Sequence, residues 1–228
     1  MGLEVAWALD HPGLLVGLVR VAGITLEPSG GQLDQEIADT IARRAAGEQP
    51  SESLRTAVRD MLRFGGFKPT GRSKPASEYL AGAADRGEFP RINNAVDVAN
   101  DVSLASGLPI SLLDADLALD GAPGLCLRFG LPGERYVFNR AGHEIELAGL
   151  VCAARVGGTC IGNAVKDALD AKTVDDTRNL VAFVYAPRSA VSEAALDQLL
   201  RDFAARLVTH AGGVADIGQL PAAGSGPA

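Results

Sequence analysis

The chain has 228 residues, 47% of them hydrophobic, and a net charge of −7. That is enough apolar material for one compact domain or two closely joined halves. Its three cysteines form no CxxC pair, and none of the three histidines sits at metal-ligand spacing from a cysteine, which argues against a zinc site and a disulfide framework. Reduced thiols and a cytoplasmic location are expected, because no leader-like segment and no apolar run of membrane-spanning length is readable.

Residues 3 to 27 alternate β-formers around the turn His11-Pro12-Gly13, which predicts two strands. Leu33, Ile37 and Ile41 recur at helical spacing up to Ala46. A second helix follows a polar break, with Leu54, Val58, Met61 and Leu62 on one face and Gly65-Gly66 at its end. Arg55, Arg59 and Arg63 recur every four residues on its other side, either as phosphate contacts or as an ordinary solvated face. Phe67 to Ser77, with Lys68, Arg72 and Lys74, reads as an ordered surface loop, and Ser77 to Ala84 as a short helix.

Arg91 to Asp116 is the most informative stretch. Asn93 or Asn94 caps a helix that ends near Ser106 and stops at Gly107 and Pro109. Short polar side chains alternate along it with apolar ones. Asp97 and Asn100, three apart, share one side: they either line a pocket or brace the turn at Gly107. Asp114 reads as a residue that binds turn amides before the next strand. From Ile110 to Val151, LCLRF, RYVF and EIEL are strands between glycine-containing turns, with His143 in a surface turn. NLVAFVYAP is a buried strand. Val191 to His210 is an amphipathic helix capped by Ser192, with Ala195, Leu196, Leu199, Leu200, Phe203 and Leu207 inward and Gly212-Gly213 at its exit. Residues 221–228 are expected to form a flexible tail behind a single domain spanning 1–220.

Charge is uneven along the chain. From Arg55 to Arg91 there are eight basic residues against four acidic ones, a local +4 that leaves −11 on the remainder. An acidic protein therefore keeps a basic region suited to an anionic partner.

Asn94, Asp97, Asn100, Gly107, Pro109, Asp114 and Asp116, together with the later Asp176, Thr177 and Asn179, resemble the B3/B4 region of the phenylalanyl-tRNA synthetase β subunit. Upstream, VRDMLRFGGFKPTGRSKPASEYL is similar to stand-alone versions of that domain. The resemblance implies an α+β fold with a sandwich-like mixed β core and flanking helices. It also implies binding of tRNA or the aminoacyl-tRNA acceptor end, and editing by hydrolysis of a mischarged aminoacyl ester. Such hydrolysis needs an oriented water and donors for the developing oxyanion.

Two departures stand out. Ser111 occupies the position of the family's histidine, and the family's Gly-Gly-Glu has no match; the best placement puts Asp167, with Lys166 beside it, near that Glu. By resemblance, Ser111 and Asp167 are the candidate catalytic pair, with Asn100 in the substrate pocket; Lys166 and Asp167 either orient water and a phosphate or belong to a solvated loop, and Thr173 either donates to a substrate oxygen or is a turn hydroxyl. Arg55, Arg59, Lys68, Arg72 and Lys74 would contact RNA. No metal or organic cofactor is implied, and no nucleotide-binding glycine pattern occurs. Ser111 has no histidine or lysine base at readable spacing. The alternative to an editing hydrolase is a binding module without chemistry, for RNA or for an amino acid or other small ligand.

Overall fold

The computed structural model describes residues 3–221. In chain order the strands and helices are β1 (Val5–Trp7), β2 (Leu14–Ala22), α1 (Gly31–Ala45), α2 (Glu52–Arg63), α3 (Ala76–Asp85), α4 (Asn94–Ser106), β3 (Ile110–Asp114), α5 (Ala115–Leu119), β4 (Leu125–Phe129), β5 (Arg135–Val137), β6 (Glu144–Glu146), β7 (Val151–Arg155), β8 (Cys160–Asn163), β9 (Asn179–Pro187), α6 (Glu193–Ala211) and β10 (Val214–Leu220). Of the expected tail, 222–228 lies outside the described residues.

The fold is mixed α+β, with two four-stranded sheets and flanking helices. One sheet runs β1-β4-β7-β8 and the other β10-β2-β9-β3; β5 and β6 form a separate two-stranded hairpin. The second sheet is antiparallel throughout, and β2 and β9 pair along their whole length from Leu14↔Pro187 to Ala22↔Asn179. In the first sheet only β1 and β4 are parallel. From Leu180 to Pro187 every residue of β9 is buried, as its continuous apolar run requires of a strand covered on both faces. Helix α6 packs on β2 and β10. Gly17 of β2 lets it approach, since a Cβ there would meet the Leu200 side chain at 2.5 Å.

Local signals explain the helix boundaries. Ser51, Asn93 and Ser192 each cap a helix by accepting a backbone N–H three residues on. Gly107, at φ 74°, ends α4 in the left-handed conformation that glycine adopts without strain. In α6, Leu196, Leu200, Phe203 and Leu207 are buried, but Ala195 is exposed, against the inward position expected of it. Asp114 does bind turn amides, but ahead of a helix rather than a strand: its carboxylate accepts from Asp116 N and Leu117 N at the start of α5.

The polar residues of α4 are ties within the fold. Asn94 donates to Thr25 O and His210 O and accepts from Glu27 N. Buried Asp97 accepts from Ser29 Oγ, Arg91 Nε and Ile92 N. Asp101 pairs with Arg206, and Ser103 donates to Leu108 O behind the Gly107 turn. Asp97 therefore braces the chain between residues 29 and 92 and lines a cleft of about 380 Å³ with Asp34 and Arg91, a cleft that Asn100 does not share. Buried carboxylates and amides must find such partners, which accounts for an unusually polar helix inside the core.

The two sheets meet where β3 and β8 touch. The junction depends on Gly162: a Cβ there would lie 2.6 Å from Ser111 Oγ and 3.0 Å from Asp167 Oδ1. On β3, Asp114 accepts from Thr177 Oγ1 at 2.6 Å, and just beyond it Asp116 accepts from Asn179 Nδ2 at 2.8 Å. These two bonds fasten the β3–α5 corner to the start of β9.

Candidate functional site

A cleft of about 740 Å³ lies between the loop after α2 and the β5–β6 hairpin. Gly66, Phe67, Lys68, Arg72 and Ser73 form one wall, Phe138 and His143 to Glu146 the other, and Lys166 also lines it. The walls are held by backbone contacts. A Cβ on Gly65 would overlap Gly149 O, and one on Gly149 would overlap Gly65 O, so the loop and the β6–β7 turn press together backbone to backbone. Ala76 N donates to Ala164 O at 2.9 Å, tying the end of the basic loop to the segment that carries Lys166.

Lys166 is positioned by neighbours that the sequence reading did not single out. Asn163 Oδ1 accepts from Val165 N and Lys166 N. The Asn163 amide donates to Tyr136 Oη, and Tyr136 Oη donates to Lys166 O at 2.5 Å. The Lys166 ammonium rests 3.9 Å from the centre of the Phe138 ring, and Lys172 Nζ donates to Phe138 O at 2.6 Å. One aromatic residue thus anchors two lysines through neutral groups, a ring face and a carbonyl, and neither lysine is in an ion pair among the described residues. Burial, with Arg72 and Lys172 nearby, pulls the Lys166 pKa below its ordinary value.

This cationic group contrasts with the rest of the molecule. Most arginines face carboxylates: Arg59 with Glu78, Arg128 with Glu134, Arg206 with Glu36 and Asp101. The chain's only four lysines are Lys68, Lys74, Lys166 and Lys172. Among the described residues none of them is in an ion pair, and neither is Arg72. Lys68 and Arg72 are exposed, and Lys166 and Lys172 half-buried.

Ser111 and Asp167 are brought together, but beside the cleft rather than within it. Ser111 Oγ donates to Asp167 Oδ1 at 2.5 Å, and Leu112 N and Asn163 N donate to the same carboxylate. Ser111 has no exposed surface. The expectation that it meets a substrate is therefore corrected: its hydroxyl is committed to Asp167, and the space in front of it is filled by Gly162 and its neighbours. Asp167 itself is half-buried. Burial outweighs its hydrogen bonds and raises its pKa to about 6. The buried Tyr185 hydroxyl beside this pair has no hydrogen-bond partner among the described residues.

The other candidates lie elsewhere. Arg55 pairs with Glu52, and Arg59 is held in a two-pronged pair with Glu78. Arg63, the third residue of the stripe, pairs with Asp60. Lys74 is exposed after the 3₁₀ turn Gly71–Ser73 and does not line the cleft. Asn100 is half-buried on α4 with no side-chain hydrogen bond among the described residues. Thr173 Oγ1 accepts from Asn93 at 3.5 Å. The aromatic side chain of Phe138, just after β5, is the only sequence signal for its anchoring role; His143, expected in a surface turn, is exposed there and also lines the cleft.

Among the described residues no group of three or more histidine, cysteine or acidic side chains is arranged to hold a metal ion, and no helix is long and apolar enough to cross a membrane. No protein-family model matches the chain, and no curated protein matches it.

Proposed function

We propose that this protein is a stand-alone B3/B4-type binding module for tRNA, with the phosphates of the acceptor region held at the Lys68, Arg72 and Lys166 cleft. The observation that carries the reading is the convergence of unpaired cations on one concave surface of a protein whose other basic side chains are mostly neutralised by carboxylates. Phosphate recognition uses such free charges. The resemblance of the Asn94 to Asp116 segment to the synthetase domain supplies tRNA as the partner.

Binding of unfractionated tRNA to the full chain, followed across a salt series, tests this. Affinity should fall steeply with salt, and Lys166→Gln or Arg72→Gln should each reduce the slope by about one. A flat salt response together with binding of free amino acids would transfer the cleft to a small-ligand role.

A second reading, deacylation of a mischarged aminoacyl-tRNA, is favoured by one specific observation. Asp167 adjoins Lys166 in the chain and has a pKa of about 6, which suits a carboxylate that accepts a proton from water near neutrality. In this reading Asp167, standing beside the cleft, would take the proton from a water at the cleft margin, and Ser111 only holds Asp167. Release of amino acid from a panel of mischarged tRNAs, abolished by Asp167→Asn, is the expected result. No turnover on any of them removes the hydrolytic reading and leaves the binding one.

A further inference from the structure

The charge at the cleft exceeds what a single bridging phosphate can neutralise. Lys68, Arg72 and Lys166 line it, and Lys172 stands behind Phe138 within electrostatic reach of Lys166. Glu144 and Glu146 lie on the hairpin wall, and Arg135, which pairs with Glu144 at 3.4 Å and faces Glu146 in the β5–β6 register, offsets one of these two charges. Lys68, Arg72, Lys166 and Lys172 thus stand against one remaining hairpin carboxylate and the Asp167 carboxylate within electrostatic reach of Lys172, an excess of about two charges. Two of these cations are held by Phe138 and neither is in an ion pair among the described residues, so no carboxylate in direct contact must be displaced before a ligand binds.

A phosphodiester presents one negative charge. A phosphate monoester presents up to about two near neutrality, and three acceptor oxygens that several donors can engage at once.

From this we infer that the ligand group of the cleft is a phosphate monoester, carried at the terminus of an RNA or on a small phosphorylated molecule, and not a bridging phosphodiester. The inference rests on the cleft being the anion site proposed above, and adds the chemical class of the anion. The lowered pKa of Lys166 fits it, because a doubly charged anion relieves crowding among Lys166, Arg72 and Lys172 more than a singly charged one does.

The test compares matched probes on the full chain. Short single-stranded RNA with a 5′-phosphate should bind about tenfold tighter than the same RNA with a 5′-hydroxyl, the scale of one further charge-assisted hydrogen bond. Methyl phosphate should compete and dimethyl phosphate should not. Lys166→Gln combined with Arg72→Gln, with its thermal melt checked against the wild type, should bring the two RNAs to equal affinity. Equal affinity of the two RNAs for the wild-type chain, with no competition by methyl phosphate, overturns the inference while leaving RNA binding standing. Binding of methyl phosphate without binding of either RNA supports the monoester and removes the RNA reading. Failure of all four probes overturns both.

Discussion

Gly65 and Gly149 meet backbone to backbone, each occupying the space that a side chain on the other would need. Gly149 also sits at φ 72°, where an L side chain is strained. Gly149→Ala should therefore destabilise the fold by roughly 2–4 kcal/mol, with Gly65→Ala close behind. Because this contact sets the spacing of the cleft walls, surviving folded protein should also bind anions more weakly. Urea denaturation midpoints equal to wild type would show that the turn relaxes freely.

Asp167 gives stability an unusual pH dependence. Its pKa is about 6 in the folded chain against an ordinary 3.8. Between those values the folded chain holds a proton that the unfolded chain has released. Stability from this group is thus fully present below about pH 4, falls as pH rises through about 6, and is flat above, with a span on the order of 3 kcal/mol. Asp167→Asn should remove that slope from a series of melts between pH 4 and 7. Ser111→Ala, which deletes a donor to the carboxylate, should move the midpoint upward.

Glu134 carries the opposite sign. Its carboxylate takes two hydrogen bonds from Arg128, at 2.7 and 2.8 Å, and further ones from Leu131 N and Cys160 N. The Arg128 contact holds its pKa down to about 2. Its contribution is present above the ordinary carboxylate value near 4.5 and is lost as pH falls through about 2. Glu134→Gln strands Arg128 and should cost about 2–3 kcal/mol at neutral pH, narrowing on acidification. A constant difference across pH would contradict this assignment.

Thr177→Val tests the tie between β3 and β9. It is nearly isosteric and removes only the hydroxyl that donates to buried Asp114. A loss of about 1–3 kcal/mol is expected, from a carboxylate left with fewer donors. Thermal denaturation of the variant alongside Asn179→Ala, which breaks the exposed Asp116 contact, should show the Thr177 change to be the larger.

The elements legible in the sequence were those whose ends carry their own chemistry. Asn93, Gly107 and Ser192 announced α4 and α6, and the unbroken apolar run of β9 announced a doubly covered strand. Strands β7 and β8 were not legible. They are built of Ala153, Ala154, Cys152, Cys160 and Gly162, small residues whose β propensity is low and whose place is set by close packing between sheets. β3 was hidden behind the turn before it. β10 is an edge strand of mixed polarity and lacks the pattern of a buried one.

The site was legible one residue at a time. Lys68 and Arg72 stood out as basic loop residues, and Lys166 came from resemblance. Their meeting is a tertiary fact that no spacing encodes. It depends on Gly65, Gly149 and the Ala76–Ala164 bond, which look unremarkable in the chain. The pairing of Arg59 with Glu78 is equally long-range, and it takes out of the free cations one that a helical stripe suggests.

The segregation of arginine into ion pairs and lysine onto the cleft and its bounding segments has a practical side. All four side-chain amines of the chain lie between Lys68 and Lys74 or between Lys166 and Lys172. Reductive methylation with ¹³C would label those two segments and leave the paired guanidinium groups unlabelled. The Lys68 and Lys166 resonances would then report on occupancy of the cleft, with exposed Lys74 as an internal reference outside it.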